Sequence, residues 1–491
     1  MIMNDSINPR VLIMIPYLSR DYLPFQISSQ ALCLSRICTE LKQNRIMFEI
    51  LNPNENSISK YSKAASLIIR LTDIISKNEK IAIDYLNGAR DDSYLEGVLQ
   101  KIAFNLPSLG ATENIFYIQP CFKDNLYTYL CILKEIKKKY HNNIICCGTY
   151  FSIERVKKLR QYSFIDYIID GNLFNSISRV LRGLGPRRNK STTKINARII
   201  MGRQETQDLN NEPMPNSLLL FRRPKIVPID YATGCPFNCF FCDYKHFVPT
   251  FQLKNTSTLM KEIRFYRNKG IKYFWFHAAA INFREEYLRE LCNVFIKNNF
   301  NCKWSAPLIP SRLEKSIFNL MHKAGCLHLR IGIESPDGDI LDGFNKGVTL
   351  ESIEETLRNS FYATIKKTLT LMVGLPMEKK TENIRKKRFI QRNMKYIDSI
   401  TIYPFELRRG TAGLKIAHKL GLKVRKNTHN DNRYLEFDEV NGSKWEEFCE
   451  RQQFLLHDLE AFLENNGIPH LLPEEYFIKL LRQHPRRIYE H

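Results

Sequence analysis

Gly234-Cys235-Pro236-Phe237-Asn238-Cys239-Phe240-Phe241-Cys242 stands directly after an apolar, β-rich run, Ile226 to Tyr231. Three thiols so close in sequence can wrap one soft metal centre, and a loop at the carboxyl end of a strand is where a barrel displays reactive groups. No fourth cysteine is nearby. An iron-sulfur cube held by only three thiolates keeps one iron open, by the logic that separates catalytic from structural zinc sites. A structural zinc site would show paired CxxC units or accompanying histidines, and here His246 is the only neighbour of that kind.

The run before the triplet opens an alternating series. Strands are expected near Ile226 to Tyr231, Lys272 to His277, Cys302 to Ala306, His328 to Glu334, Leu369 to Gly374 and Ser399 to Tyr403, each followed by a helix-sized segment. Six such units without a seventh and eighth predict a partial (β/α)6 TIM barrel over 224–416, with chemistry at the carboxyl ends of its strands. Upstream, Val11 to Pro16, Ile46 to Leu51, Asn114 to Gln119, Asn143 to Gly148 and Asp166 to Asp170 alternate with helical patterns at Ser29 to Leu41, Leu126 to Tyr140 and Ile153 to Tyr162. That pattern predicts a five-stranded, doubly wound, Rossmann-like domain over 1–185, with two inserted helical segments around Ser57 to Lys77 and Tyr94 to Phe104. Residues 186–223 are polar and aperiodic and read as a linker; 417–491 read as a small, mainly helical C-terminal region, Trp445 to Asn465 being its clearest helix. The fold class is therefore α/β, and no short-period repeat suggests a solenoid.

At 491 residues the chain is long enough for two large cores, and 44% hydrophobic with 25% charged residues excludes disorder or a fibre for most of it. Neither a secretory signal nor an apolar run able to cross a bilayer is visible, so a cytoplasmic location and no membrane association are expected. The thirteen cysteines are then expected to be thiols, ligands or catalytic groups rather than disulfides. Lys and Arg outnumber Asp and Glu 73 to 51, a formal charge of +22. Such a charge attracts RNA, acidic peptides or phosphates, but runs such as Lys134, Lys137, Lys138 and Lys139 are usually solvated helix faces, so nucleic acid is not the favoured partner.

The Cys-x3-Cys-x2-Cys spacing, with the aromatic Phe241 before the last cysteine, resembles the signature of the radical S-adenosylmethionine superfamily. The resemblance implies a [4Fe-4S] cluster on Cys235, Cys239 and Cys242. It implies that the amino and carboxylate groups of S-adenosylmethionine chelate the fourth iron, and that one electron then yields a 5'-deoxyadenosyl radical that takes a hydrogen atom from substrate. Gly332-Ile333-Glu334-Ser335 resembles the family's fourth-strand motif and implies contact of Glu334 with the cosubstrate, Ser335 being a polar neighbour; a carboxylate there can bond an ammonium or ribose hydroxyls. Gly374-Leu375-Pro376 resembles the segment beside the adenine, where a glycine admits close backbone approach. Relatives often carry acids after the second barrel strand, whereas this chain has His277-Ala278-Ala279-Ala280, which makes His277 a candidate proton-transfer group alongside a core histidine.

An N-terminal doubly wound domain before such a barrel resembles the B12 (cobalamin)-binding-domain subgroup, over residues 9 to 415. Gly148 and Asp170-Gly171 fit the subgroup's loops, and Phe405 to Thr411 resembles a segment of its barrel, where Arg408 or Arg409 is either an anion contact or part of a solvated charge pair. Asp-x-His-x-x-Gly is absent, and His141 precedes a strand, so a protein imidazole beneath the cobalt is not expected. With cobalamin the implied reaction is methyl transfer to an unactivated carbon or phosphorus. Without it, a peptide or natural-product substrate would be epimerised or cyclised, a thiol returning hydrogen: Cys326 foremost, with Cys292, Cys302 and Cys449. Both need a flavodoxin- or ferredoxin-type donor or a reductase. A tRNA methylthiotransferase needs a second triplet that the N-terminal cysteines do not show, and a zinc-stabilised RNA-binding module is the non-enzyme alternative.

Overall fold

The computed structural model describes residues 10–14, 29–51, 62–88, 93–106, 114–118, 126–140, 143–148, 156, 159–170, 198–201, 208–221, 224–248, 250–311, 313–343, 347–376, 378, 382–425, 434–440 and 442–483. The chain divides into two units, 1–207 with 212–223, and 208–211 with 224–491. Each is built on a six-stranded parallel sheet.

In the first unit, β1 (Arg10–Met14), β2 (Met47–Leu51), β3 (Asn114–Ile118), β4 (Asn143–Gly148), β5 (Tyr167–Asp170) and β6 (Arg198–Met201) run in the order β2-β1-β3-β4-β5-β6. Alternation along β1 shows why both faces are covered. Leu12 and Met14 join one apolar cluster, Val11 and Ile13 the other. α1 (Ser29–Gln43) supplies Leu34, Ile37 and Leu41 to the second. α2 (Ser62–Lys77), α3 (Glu79–Asn87), α4 (Ser93–Phe104) and α5 (Leu126–Tyr140) supply Ile68, Leu86, Leu99 and Leu133 to the first.

Two features correct the sequence expectation. The insertion after β2 holds three helices rather than two, α3 being closed by Gly88 in the left-handed region at φ 71°. The stretch 186–223, expected to be a linker, contributes β6: four residues show too little alternation to read as a strand, and pairing with β5 makes them one. The Lys-rich run of α5 is likewise more than a wet face, since Lys134 and Lys138 lie 4.4 and 5.5 Å from the Tyr85 ring centroid and Lys137 pairs with Asp166 at 2.6 Å.

The second unit begins with β7 (Ile226–Asp230) and a small antiparallel ribbon of β8 (Ala232–Thr233) and β9 (Gln252–Leu253). α6 (Thr256–Asn268), β10 (Tyr273–His277), α7 (Glu285–Lys297), β11 (Lys303–Leu308), α8 (Lys315–Lys323), β12 (Cys326–Glu334), α9 (Leu350–Tyr362), β13 (Lys366–Val373), α10 (Glu382–Asn393) and β14 (Ser399–Pro404) complete six strands with one of these helices between each consecutive pair. Their sheet runs β7-β10-β11-β12-β13-β14, parallel throughout and open between its ends, as the sequence predicts.

Residues beyond 416 belong to the same unit as the barrel. They form the hairpin of β15 (Leu422–Val424) and β16 (Phe437–Glu439), then α11 (Trp445–Asn465) and α12 (Pro473–Gln483). Between these helices the backbone pairs with β14: Ile400 donates to the Pro469 carbonyl at 3.0 Å and Leu471 to the Ile400 carbonyl at 3.3 Å. Phe477 of α12 stacks on His328 and packs against Trp275 at centroid distances of 6.0 and 5.7 Å. His328 itself is fully buried between Ser305 Oγ (2.9 Å) and Thr368 Oγ1 (3.0 Å), and burial holds its pKa well below the usual value, so the ring is neutral.

Candidate active site

Parallel strands put Asp230, His277, Glu334, Val373 and Pro404 at one rim of the barrel sheet. The triplet loop leaves that rim where β7 ends, and the β8/β9 ribbon draws its two ends together. Cys239 is buried, Cys235 half-buried and Cys242 exposed. The Cys242 N–H donates to the Cys239 carbonyl at 3.1 Å. Burial first, then the nearby Cys235, Asp230 and Cys242, push the Tyr244 phenol up to about 12 against a hydrogen bond with the Gly234 backbone, which places Tyr244 beside two of the three thiols. The flanking rings are apolar partners of one another: Phe240 meets Phe241 edge-on at 5.7 Å, and Phe237 lies 6.1 Å from Phe283.

Among the described residues no three His, Cys, Asp or Glu side chains are assembled closely enough to hold a metal ion. The loop therefore brings three thiols onto one segment without forming a finished cage. Its donor set, all sulfur and supplied by one short segment, fits a soft iron-sulfur centre better than a hard cation, and ligand sites commonly close only as metal binds.

Beneath the loop lies a charge cluster that nothing in the sequence singled out. Lys254, 2% exposed, donates to Asp230 at 2.9 Å and to Glu262 at 2.8 Å. The Tyr287 hydroxyl ties the Lys254 carbonyl to α7 at 2.8 Å. Asp230 is the last residue of β7 and stands in register with His277, so the first strand of the rim ends in an ion-paired carboxylate, with a half-buried imidazole at the end of the next strand.

At the end of β12 the register slips between Gly332 and Glu334, and Glu334 has a positive φ of 60°. A bulge of this kind re-aims a side chain, and an L-residue in the left-handed region is held there by its surroundings. The carboxylate folds back over Gly332, where a Cβ would lie 2.8 Å from Glu334 Oε1, and Thr370 Oγ1 donates to Oε2 at 3.4 Å. Ser335 is buried and its hydroxyl accepts the Asp337 N–H at 3.1 Å, which ties it into the following turn.

Gly374, with φ 75°, donates its N–H to Glu378 at 2.7 Å, and Glu378 pairs with the buried Lys386. The close approach expected at this glycine is made by the protein itself: a Cβ would lie 2.6 Å from Gln452 Nε2 of α11. Gln452 donates to the Phe405 carbonyl at 2.9 Å and to the Val373 carbonyl at 3.3 Å, capping the ends of two strands. Pro376 forms the half-buried turn beyond.

Cys326 is corrected. It is the first residue of β12, and Glu334 is the last, so at about 3.3 Å per residue the thiol is roughly 26 Å from the rim. It is buried, weakly bonded to the His328 carbonyl at 3.8 Å, and desolvation raises its pKa well above the ordinary thiol value. Cys292 and Cys302 are buried too, with pKa values pushed up to about 12 by burial, and Cys449 lies half-buried on α11. Cys326→Ala should therefore leave turnover within about twofold of the parent while costing about 1 kcal/mol through the small cavity. A large loss of turnover in steady-state assays, with the folded fraction intact, would reinstate the thiol as a reactant.

Of the remaining expectations, Gly148 and Asp170 end β4 and β5, whereas His141 and Gly171 lie outside the described residues. Arg408 sits in a partly exposed charge pair, binding Glu406 at 2.9 Å with its side chain about a third exposed, and also faces Asp243 at 3.7 Å. No described helix is long and apolar enough to cross a membrane.

Residues 229–386 match the model of the Radical SAM superfamily. Bacteriochlorophyllide d C-12(1)-methyltransferase of Chlorobaculum tepidum is 30% identical over 141 residues, 28% of this chain and 30% of that protein. Anaerobic magnesium-protoporphyrin IX monomethyl ester cyclase of Cereibacter sphaeroides is 27% identical over 30% of this chain and 25% of its own length. The chain thus spans under a third of these two relatives. An uncharacterised methyltransferase of Pyrococcus horikoshii is 20% identical over 68% of this chain and 75% of its own. In fold, the chain is similar to the methyltransferase TsrM of Kitasatospora setae with cobalamin and a [4Fe-4S] cluster bound, with a TM-score of 0.56, 14% identity, and coverage of 86% and 81% of the two chains. It is also similar to the cobalamin-dependent enzyme OxsB with aqua-cobalamin and S-adenosylmethionine bound, with a TM-score of 0.60, 12% identity, and coverage of 97% and 71%.

Proposed function

We propose that the chain, whose residues 229–386 match the model of the Radical SAM superfamily, is a radical SAM enzyme that methylates an unactivated carbon or phosphorus of a peptide or natural-product substrate, with cobalamin as methyl carrier and a flavodoxin- or ferredoxin-type protein or a reductase as electron donor. The observation that carries the reading is the three-thiol loop on the rim of an open barrel, with the re-aimed Glu334 on the same rim. Cys235, Cys239 and Cys242 would hold the [4Fe-4S] cluster. When bound, that cluster would pass one electron from the donor protein to S-adenosylmethionine, the reductive chemistry that the family's name implies.

The chain's own residues would do the rest. Glu334 would bind the ammonium or ribose hydroxyls of S-adenosylmethionine through charge-assisted hydrogen bonds, its backbone already set by the bulge. Phe237, Phe240, Phe241 and Phe283 would keep water from the cluster side of the rim. Lys254, paired with Asp230 as well as Glu262, would offset part of the negative charge at the first strand end. His277 would move a proton at the end of β10.

For cobalamin the support is the sheet order β2-β1-β3-β4-β5, whose direction reverses between β1 and β3, the kind of switch point at which doubly wound domains take ligands. The loops there lie outside the described residues, and no side chain is assigned to that cofactor. A second reading, radical cyclisation or epimerisation without methyl transfer, draws on the likeness to the ester cyclase.

Anaerobic reconstitution with iron, sulfide, S-adenosylmethionine and reductant, with and without cobalamin, separates the two readings by mass spectrometry. Cobalamin-dependent release of both 5'-deoxyadenosine and S-adenosylhomocysteine is the expected outcome. Deoxyadenosine alone favours the second reading, and stoichiometric zinc with neither product would sink both.

A further inference from the structure

The loop of cysteines is gripped from the far side of the barrel mouth by the turn that follows β14. Phe405 packs on Phe240 with ring centroids 6.0 Å apart. Gly413 donates its N–H to the Phe240 carbonyl at 2.8 Å, and a Cβ at that position would stand 2.6 Å from the same oxygen, so only glycine admits the bond without pushing the loop away. Gly410 lies against the His246 ring. The Thr411 hydroxyl accepts the Leu414 N–H at 3.1 Å and donates to the Arg408 carbonyl at 2.8 Å, which fixes the turn itself.

Arg408 joins these parts. Its guanidinium binds Glu406 through Nη2 at 2.9 Å and Nε at 3.3 Å, and Nη1 faces Asp243 Oδ1 at 3.7 Å. Asp243 is only 4% exposed and adjoins Cys242 in the chain. On its outer side Arg408 lies 5.6 Å from the Tyr434 ring centroid, and the Leu435 N–H donates to the Leu407 carbonyl at 2.8 Å. A planar fork can reach two carboxylates at once, whereas an ammonium is a single point of charge.

We infer that the turn Leu407–Gly413 is a clasp that sets the shape of the cysteine loop, with Arg408 as the positioning residue that anchors it through Asp243. The inference rests on the cluster reading above. Because the thiols do not form a finished cage among the described residues, whatever restricts the loop lowers the conformational cost of closing on iron.

The test uses the full chain, reconstituted anaerobically, as the parent protein and as Arg408→Ala, Arg408→Lys and Gly413→Ala variants. Iron and sulfide per chain, the first-order loss of iron to a chelator, and the electron paramagnetic resonance signal of the reduced cluster are read beside the melting temperature of the iron-free protein. Outer contacts of a metal site are typically worth 10- to 100-fold in metal affinity. Accordingly, Arg408→Ala and Gly413→Ala should shed iron about tenfold faster, with a broadened resonance and an iron-free melting temperature within about 2 °C of the parent, and Arg408→Lys should recover part of the loss. Parent-like iron loss in both Arg408→Ala and Gly413→Ala overturns the clasp. So does iron loss that merely tracks a fall in the iron-free melting temperature with no rescue by lysine. A parent protein that retains no iron instead overturns the cluster reading itself.

Discussion

Cys239→Ala should fail to retain iron and should cut 5'-deoxyadenosine release by about three orders of magnitude or more, the scale on which removing one member of a set that acts as a unit abolishes turnover. Cys239 is the informative choice among the three because it is buried and lies at the middle of the loop. Alanine removes the sulfur and little else, so the backbone bond from Cys242 to the carbonyl of residue 239 remains available. Iron and sulfide assays of the purified protein, with mass spectrometry of the products, check the result. Cys326→Ala, a strand length away, is the internal control. Parent-like iron content together with sustained deoxyadenosine release in Cys239→Ala would remove the basis for the cluster assignment.

Lys254→Met should destabilise the second unit by about 3–5 kcal/mol, the cost of removing one partner of a buried ion pair and leaving uncompensated charge. Methionine preserves much of the stem's volume, so packing changes little and the charge change dominates. Two carboxylates, Asp230 and Glu262, would then face a common space from which water is largely excluded. Denaturant titration should show a lower midpoint at an unchanged slope, since the surface exposed on unfolding is the same. Adding Glu262→Gln to Lys254→Met should restore part of the loss by deleting one of the stranded charges. A single variant as stable as the parent would mean that the buried cluster contributes no net stabilisation.

Much of the barrel was legible because strands such as β7 and β10 are nearly continuous apolar runs bounded by polar turns, and burial on both faces of a parallel sheet favours such runs. Ile226 to Tyr231, Lys272 to His277 and Ser399 to Tyr403 fall within a residue of the observed elements for that reason. Glu334 was singled out by the likeness of its strand-end segment to a family motif, and neither its bulge nor its positive φ leaves a mark in composition. Cys326 was chosen for what a thiol can do, yet its place just ahead of the His328 strand already put it at the rim opposite the chemistry. Lys254 and Gln452 were hidden for another reason. A lysine between two acids and a glutamine over two strand ends are defined by partners 8 to 79 positions away in the chain, and local periodicity carries no record of such pairings. The same holds for β6, which is a strand only because β5 is there to receive it.

The pairing of Ile400 with Pro469 and Leu471 bears on how this molecule keeps to itself. A ring of strands that stops at six exposes a row of amide and carbonyl groups along each outermost strand, a template onto which a neighbouring copy could add its own backbone. Along β14 part of that row is taken up by the chain's own later segment, delivered between two helices and carrying a proline whose nitrogen has no hydrogen to donate onward. On that side the sheet can stay open without offering its whole edge to strand-by-strand self-association.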